Sequence, residues 1–273
     1  MPLTVVPTPI GNLGDMTLRG IEILKNADVV ACEDTRNTLR LLNHFGIKVR
    51  TISYYEHNEK SRTSYLINLL RQGDKIALVS DAGTPGISDP GYVIIKAAIE
   101  ENIPVDVLPG ANAVIPALLL SGFEPQPFTF VGFPPDKKGE RVRFLERFKF
   151  QEWPMVFYLS PHKAAKHLED IVDVFGERRC AMVREISKVY QETKRSLLSE
   201  LRLFLAENNV KGELVLVVAG AAPQGETDTG KWEMRALGLL HGGMSMKDVV
   251  LQVEKEYDLP RNRIKRYLLE NLD

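Results

Sequence analysis

The sequence predicts an α/β protein made of two α/β domains and a small helical extension at the carboxyl end. The first domain is expected to hold a mainly parallel sheet, because strand-length apolar runs alternate with helix-length segments and the runs are continuously apolar. The chain has 273 residues, more than one domain usually contains. We therefore expect domains at residues 1–121 and 122–226, the second with a mixed sheet, and a helical tail at residues 233–273.

The first domain reads as five strands separated by segments that can form helices. Thr17 is a candidate cap for the first helix, because its hydroxyl can accept a hydrogen bond from the backbone of the first turn. The predicted strands are residues 3–8, 27–32, 50–55, 75–79 and 105–108. The later predicted helices cover residues 38–42, 61–71, 92–99 and 114–120. This order is typical of a parallel sheet with helices on both faces.

Loops rich in polar residues, glycine or proline follow these predicted strands. They are residues 9–15, 33–36, 56–59, 80–89 and 109–113. Because the carboxyl ends of parallel strands share one edge of a sheet, the five loops are expected to lie together. The sequence therefore predicts a ligand site at this edge.

The densest of these loops is V-S-D-A-G-T-P-G-I-S-D-P-G, at residues 79–91. Its glycines permit positive φ and its prolines fix φ, which suits a fixed loop that approaches a ligand closely. Ser80, Asp81, Ser88 and Asp89 favour a cationic or hydroxyl-rich ligand over a phosphate. The alternative is a surface loop punctuated by proline and glycine.

Residues 122–127 contain two prolines and no periodicity, and they are the predicted domain boundary. The predicted strands beyond it are residues 128–132, 155–159, 179–183 and 214–219, and the predicted helices are residues 138–148 and 161–174. Arg141, Arg143, Arg147 and Lys149 lie on the first of these helices or directly after it. We interpret it as an ordinary solvated helix, because neighbouring acids offset much of its charge.

The tail reads as two helices, residues 246–257 and 261–272, with a break at Pro260. The pair is similar in pattern to a helix-turn-helix, whose second helix would expose four cations for contact with RNA: Arg261, Arg263, Lys265 and Arg266. The alternative is a helical hairpin that closes a dimer or a domain edge.

Composition narrows the class of protein. The formal net charge of −1 gives no argument from bulk charge for nucleic-acid binding and leaves only local patches. Cys32 and Cys180 lie in apolar runs and are expected to be buried thiols in a reducing compartment. The absence of a leader-like segment, a membrane-length apolar run and a metal-ligand pattern predicts a soluble cytoplasmic protein without a metal site.

Four motifs in order carry a family resemblance. They are T-P-I-G-N-L-G-D at residues 8–15, C-E-D-T-R at residues 32–36, S-D-A-G-T-P-G-I-S-D-P-G at residues 80–91 and P-G-A-N-A at residues 109–113. Together they resemble the ribosomal RNA small subunit methyltransferase I family, within the tetrapyrrole-methylase-like class III methyltransferases. The resemblance covers essentially the whole chain, including F-Y-L-S-P-H-K at residues 157–163 and V-R-E-I-S-K at residues 183–188.

The resemblance implies two α/β domains with S-adenosylmethionine (SAM) in the cleft between them. It also implies a homodimer that methylates the ribose 2′-oxygen of a cytidine in 16S rRNA or the small ribosomal subunit. The expected cofactor-binding residues are Pro9, Ser80, Asp81, Ala82, Gly83, Thr84, Ile87, Asn112, Ala113, Leu159 and Ile186. The tetrapyrrole enzymes read G-G-D-P where this chain reads A-G-T-P, and Asp81 is one candidate to replace their Asp.

A ribose hydroxyl is a weak nucleophile at neutral pH, so a base or a cation beside it should help. The first candidates for handling the acceptor are Glu33, Asp34 and Arg36, followed by Lys188, Glu56 and His57. For each, the alternative is a helix cap, a salt bridge or an orienting contact. Two other functions stay open at this point: a methylase of tetrapyrroles or other small molecules, and a non-enzymatic RNA-binding or ribosome-assembly module.

Overall fold

The first sheet is fully parallel, as the sequence predicts. The structure, a computed structural model, describes residues 2–208, 210–221, 231–257 and 259–271. The strands of this sheet are β1 (Leu3–Val5), β2 (Val29–Cys32), β3 (Arg50–Ser53), β4 (Ile76–Val79) and β5 (Val105–Val107). Their order is β3-β2-β4-β1-β5, with every pairing parallel. The carboxyl ends of all five strands therefore lie at one edge.

Helices cover both faces of this sheet. They are α1 (Leu18–Asn26), α2 (Thr35–His44), α3 (Glu59–Arg71) and α4 (Tyr92–Glu100), followed by α5 (Val114–Ser121). Residues of α3 and α4 pack on one face with Val29 and Ala31, whereas residues of α1 and α2 pack on the other with Val30 and Cys32. Alternate residues of β2 thus face opposite cores, which is why the strand is continuously apolar. The Thr17 side chain caps α1 by accepting a hydrogen bond from the Gly20 amide, as predicted.

The second sheet is mixed, again as predicted. Its strands are β6 (Thr129–Gly132), β7 (Met155–Leu159), β8 (Arg179–Arg184), β9 (Glu192–Leu197) and β10 (Leu214–Val218). Their order is β6-β7-β10-β8-β9, and only the β6 to β7 pairing is parallel. The helices α6 (Lys138–Glu146), α7 (Ala164–Phe175) and α8 (Leu198–Glu207) contribute to one buried core beside this sheet.

The helix α5 joins the two halves of the molecule. It follows β5 in the chain, yet its residues Ala117 and Leu118 pack with Val156 and Val217 of the second sheet. The other face of that sheet packs against the core formed with α6, α7 and α8. The division of the chain at residue 121 stays a prediction, and its proposed end at residue 226 lies outside the described residues.

The tail contains three helices within its described part: α9 (Lys231–His241), α10 (Met246–Tyr257) and α11 (Arg261–Glu270). They share a buried core of their own that includes Trp232, Val249, Val253, Ile264 and Leu268. The helix α10 has the predicted bounds, whereas the predicted end of α11 at Leu272 lies outside the described residues. Among the described residues, no helix is both long and apolar enough to cross a membrane.

The interpretation of α6 as a solvated helix is wrong for Arg141. That side chain is fully buried, and its Nε donates a hydrogen bond of 2.7 Å to Asp170 Oδ2 on α7. The guanidinium can be buried because the Asp170 carboxylate, itself 3% exposed, neutralises it. Among the described strands and α-helices, β9 and α8 lacked a sequence prediction, and α9 was expected only as an unspecified part of the helical tail at residues 233–273.

Candidate active site

A cavity of about 630 Å³ lies between the two sheets. Loops at the carboxyl edge of the first sheet form one side, and residues of β7, β10 and the loop after β8 form the other. The predicted cofactor residues on its wall are Asp81, Ala82, Gly83, Thr84, Ile87, Asn112, Ala113, Leu159 and Ile186. The structure therefore brings together residues that lie as far apart in the sequence as Asp81 and Ile186.

The loop after β4 is held against the loop after β1. Thr8 and Gly83 exchange two backbone hydrogen bonds of 2.9 Å, and the Thr8 hydroxyl donates to the Ser80 carbonyl at 3.0 Å. Gly83 has φ of +80°, a conformation that side chains disfavour. Thr84 then donates through its hydroxyl to the Ala111 carbonyl at 3.2 Å. These contacts fix the backbone of the A-G-T-P segment along the cavity wall.

Four acidic residues line the cavity: Glu33, Asp81, Asp89 and Glu213. Burial, together with the charges of Asp89 and Asp81, raises the pKa of Glu33 above its usual value. Burial and the charge of Asp81 likewise raise the pKa of Asp89. The described lining contains no Lys, Arg or His, so the cavity is suited to a cation and repels phosphate.

The opposite wall of the cavity is mainly apolar, apart from Ser160 and Glu213. Leu159 and Ile186 are almost fully buried, and the rings of Tyr158 and Phe133 lie with their centroids 5.3 Å apart. A cavity with apolar walls and a few convergent polar groups is the usual form of a small-molecule site.

The amino end of α2 holds Asp81 in position. The Asp81 carboxylate accepts a hydrogen bond from the Asp34 amide at 3.1 Å and another from the Asn37 side chain at 2.8 Å. Asp34 itself caps α2 and pairs with Arg36, and hydrogen bonds from Arg36 lower the pKa of Asp34 to about 2. Asp34 and Arg36 thus form an ion pair with each other beside the cavity, and neither residue lines it.

Lys188 lies at the rim of the cleft and bridges the two halves of the molecule. Its ammonium pairs with Glu185 at 2.9 Å and with Glu213 at 3.0 Å, while its methylene groups lie against Gly11. Burial alone would lower the pKa of Lys188, but the two carboxylates outweigh it and raise the pKa. This lysine therefore stays charged and is unsuited to accept a proton.

Sequence reasoning missed the buried group that anchors the loop after Phe133. The Arg141 guanidinium donates hydrogen bonds to the carbonyls of Pro135 and Asp136 at 2.9 and 2.7 Å, and it also pairs with Asp170. The buried pair thereby anchors the loop that follows Phe133. No signal in one sequence separates this arginine from its solvated neighbours, because the acid that it meets lies on another helix.

A second cavity, of about 210 Å³, adjoins the first and shares Asp81 with it. Pro9 and Ser80, both predicted to contact the cofactor, line this smaller cavity instead of the larger one. Glu56 and His57 line neither of these two cavities and are exposed. Among the described residues, no cluster of three or more His, Cys, Asp or Glu side chains could hold a metal ion.

Comparison with known proteins identifies the family. A model of the family described as tetrapyrrole (corrin/porphyrin) methylases matches residues 2–202. A protein of Halalkalibacterium halodurans named ribosomal RNA small subunit methyltransferase I is 41% identical over 267 residues, which cover 96% of this chain and 92% of that protein. The chain belongs to the ribosomal RNA small subunit methyltransferase I family. A Vibrio cholerae protein of the same name is 40% identical and covers 99% of this chain and 95% of its own length.

Comparison with solved structures shows that this chain has the tetrapyrrole methylase fold. Diphthine synthase aligns with a TM-score of 0.64 at 15% identity, covering 81% of this chain and 90% of its own. The uroporphyrin-III-C-methyltransferase of Thermus thermophilus aligns with a TM-score of 0.57 at 19% identity, covering 80% of this chain and 94% of its own. At these identities the likeness extends to the fold alone.

As a member of the ribosomal RNA small subunit methyltransferase I family, the protein is a SAM-dependent methyltransferase. The large cavity fits that cofactor by its chemistry. Its acidic residues can face a sulfonium and ribose hydroxyls, while Leu159 and Ile186 offer apolar surface to a purine ring. A cofactor with a positively charged sulfonium and ribose hydroxyls accounts for the acidic character of the loop at residues 79–91. The roles of the individual residues stay predictions.

The predicted RNA-binding cations of the tail lie on α11. Lys265 and Arg266 are exposed, whereas Arg261 pairs with Glu254 at 2.7 Å. The side chain of Arg263 lies outside the described part of the structure. Their contact with RNA also stays a prediction.

Proposed function

We propose that the protein methylates the ribose 2′-oxygen of a cytidine in 16S rRNA, within the small ribosomal subunit or its precursor. The acidic cavity between the sheets carries this proposal, because it suits the methyl donor and lies where both sheets can position an acceptor. The choice of cytidine as the nucleoside and of the ribose 2′-oxygen as the methyl acceptor rests on the family resemblance of the four motifs.

Bound SAM supplies a methyl group that is already activated by its attachment to a sulfonium. The protein must therefore align the acceptor oxygen, exclude water and take up one proton. Glu33 is the proposed acceptor of that proton, because it is on the cavity lining and its raised pKa favours proton uptake. Asp34 and Lys188 are less suited, since one has a lowered pKa and the other stays protonated.

Asp81 and Lys188 are proposed as positioning residues. Asp81 is fixed by α2 and borders both cavities, so it can orient a ligand hydroxyl between them. Lys188 joins the loop after β8 to Gly11 and Glu213, which holds the two walls of the cleft together.

The direct test is methyl transfer from labelled SAM to small subunits that lack the modification. Digestion of the product to nucleosides should release labelled 2′-O-methylcytidine. Label only on a base would overturn the ribose assignment. No transfer to any ribosomal particle would overturn the proposed substrate.

The same assay separates the alternatives. Turnover of a tetrapyrrole or another small ring would favour a small-molecule methylase. Binding to ribosomal particles with no turnover would favour an assembly module.

We propose further that the protein works in the cytoplasm as a homodimer. Both proposals rest on the family resemblance. Sedimentation equilibrium should give twice the chain mass of 30.7 kDa, and a monomer at micromolar concentration would contradict the dimer.

A further inference from the structure

The smaller cavity has a wall, formed by α2, that the predicted cofactor-binding residues do not explain, since only Pro9, Ser80 and Asp81 among them line this cavity. Helix α2 forms one wall through Asn37, Arg40 and Leu41, and the loop after β1 contributes Thr8 and Pro9. Its volume is about 210 Å³, against about 630 Å³ for the large cavity. The site is therefore sized for part of a nucleotide and not for a second cofactor.

The two cavities differ in charge. The charged side chains on the described lining of the large cavity are all acidic, whereas Arg40 lies on the wall of the smaller one. A phosphate group is repelled by the first lining and attracted by Arg40. An RNA chain that presents a ribose to this site would thus place its phosphates over α2.

Arg40 is available for such a contact. It is exposed, and among the described residues no carboxylate pairs with it, unlike Arg36 four residues earlier. An arginine can hold a phosphate through two parallel hydrogen bonds. Its position on the cavity wall makes Arg40 the cation of α2 best placed to bind a phosphate.

Asp81 connects the two cavities. Its carboxylate is held by the Asp34 amide and the Asn37 side chain, and it lines both spaces. A sugar in the smaller cavity would therefore lie beside a fixed hydrogen-bond acceptor at the border of the larger one.

We propose that the smaller cavity binds one nucleotide of single-stranded RNA, with Arg40 pairing with its phosphate and its ribose lying beside Asp81. The inference rests on the proposed function and deepens it, because it assigns the acceptor its own site. Arg40 acts here as a binding residue and takes no part in the proton transfer.

The test compares Arg40→Gln with Lys25→Gln. Lys25 is exposed in the last turn of α1, at the edge of the sheet away from the cavities, and its change removes the same charge. Binding of a fluorescent single-stranded fragment of 16S rRNA is followed by anisotropy without SAM, over a range of salt concentrations. The SAM affinity of each variant is measured separately by calorimetry.

Arg40→Gln should weaken RNA binding by about tenfold or more, as expected when a charge-assisted contact between arginine and phosphate is lost. The slope of log affinity against log salt should fall by about 0.7, the value for one phosphate contact on a single strand. Its SAM affinity should match that of the wild type. Lys25→Gln should leave the RNA affinity, salt slope and SAM affinity unchanged.

Three results would overturn the inference. The two variants could bind RNA equally well. Arg40→Gln could weaken the binding of SAM and leave the binding of RNA unchanged, which would indicate that Arg40 pairs with the carboxylate of the cofactor. The wild type could also fail to bind RNA. Failure of the proposed function looks different: RNA binding then depends on Arg40, but the wild type transfers no methyl group to ribosomal RNA.

Discussion

Glu33 and Asp34 are adjacent in the sequence and have opposite surroundings. Glu33 faces the cavity beside Asp81 and Asp89, and its pKa is raised first by burial and then by these charges. Asp34 faces Arg36 at the start of α2, and its pKa is lowered to about 2. The sequence grouped the two residues as equal candidates, and only the fold distinguishes them.

Replacing Glu33 by Gln should raise the stability of the protein at pH 7. A raised folded-state pKa means that the ionised carboxylate destabilises the folded state above that pKa. The penalty falls as pH drops through the folded-state pKa and vanishes below the unfolded value of about 4.3. The Tm advantage of Glu33→Gln should therefore shrink between pH 7 and pH 4, as scanning calorimetry can measure. Asp34→Asn is the matched control and should show no such advantage.

The same Glu33→Gln variant should lose activity. If Glu33 takes up the proton of the acceptor hydroxyl, kcat should fall by about 10²- to 10⁴-fold, the usual contribution of a general base. Its SAM affinity should be retained, since the amide occupies the same space. An unchanged kcat would remove Glu33 from the proton transfer and leave it a purely electrostatic role.

At the scale of elements, the buried Arg141 and Asp170 link α6, α7 and the loop beyond Phe133. Asp170→Asn should destabilise the protein by about 3–5 kcal/mol, because one partner of a buried ion pair is removed. Urea unfolding measures this loss. Equal stability of Asp170→Asn and the wild type would show that the buried pair does not stabilise the fold.

Phe133→Ala tests the cavity wall beside that loop. Because the Phe133 side chain is 57% exposed, its removal should leave the stability nearly unchanged, and it should weaken SAM binding.

Elements with a strong apolar pattern were predictable from the sequence, and those without one were not. The continuous apolar runs of β2, β4 and β7 predicted strands, and the alternation of strands and helices in the first half of the chain predicted the parallel sheet that holds β2 and β4. The strand β9 has the sequence E-T-K-R-S-L and lies at the edge of its sheet. Because most of its residues are polar and half-exposed or exposed, it has no apolar pattern that predicts a strand. The packing of α5 on the second sheet depends on contacts between distant parts of the chain, which one sequence does not reveal.

The side of the large cavity formed by the first sheet was predictable through the motif resemblance, because the four motifs follow strands that share an edge. The smaller cavity was not, because it depends on the face that α2 turns toward the loop after β1. Arg40 lies outside the quoted motifs, and nothing in its sequence neighbourhood distinguishes it from other exposed arginines.

At the scale of the whole molecule, the tail is the predicted surface for RNA beyond the cavities. The tail has its own buried core, and α11 exposes Lys265 and Arg266. Neutralising Arg261, Arg263, Lys265 and Arg266 together should weaken binding to small subunits and flatten its dependence on salt. Lys25→Gln, at an exposed residue of α1, serves again as a control. An unchanged salt slope would reassign the tail to a structural role.

The central claim is that the molecule separates its two ligands, with the cofactor in the large cavity and RNA in the smaller one. Calorimetric titration of SAM into two cavity-filling variants tests it most directly. Ala113→Trp fills the large cavity and Leu41→Trp the smaller, and circular dichroism verifies that both variants fold. The account predicts that Ala113→Trp loses SAM binding while Leu41→Trp binds SAM as the wild type does. Retained binding in Ala113→Trp, or loss in Leu41→Trp alone, would contradict it.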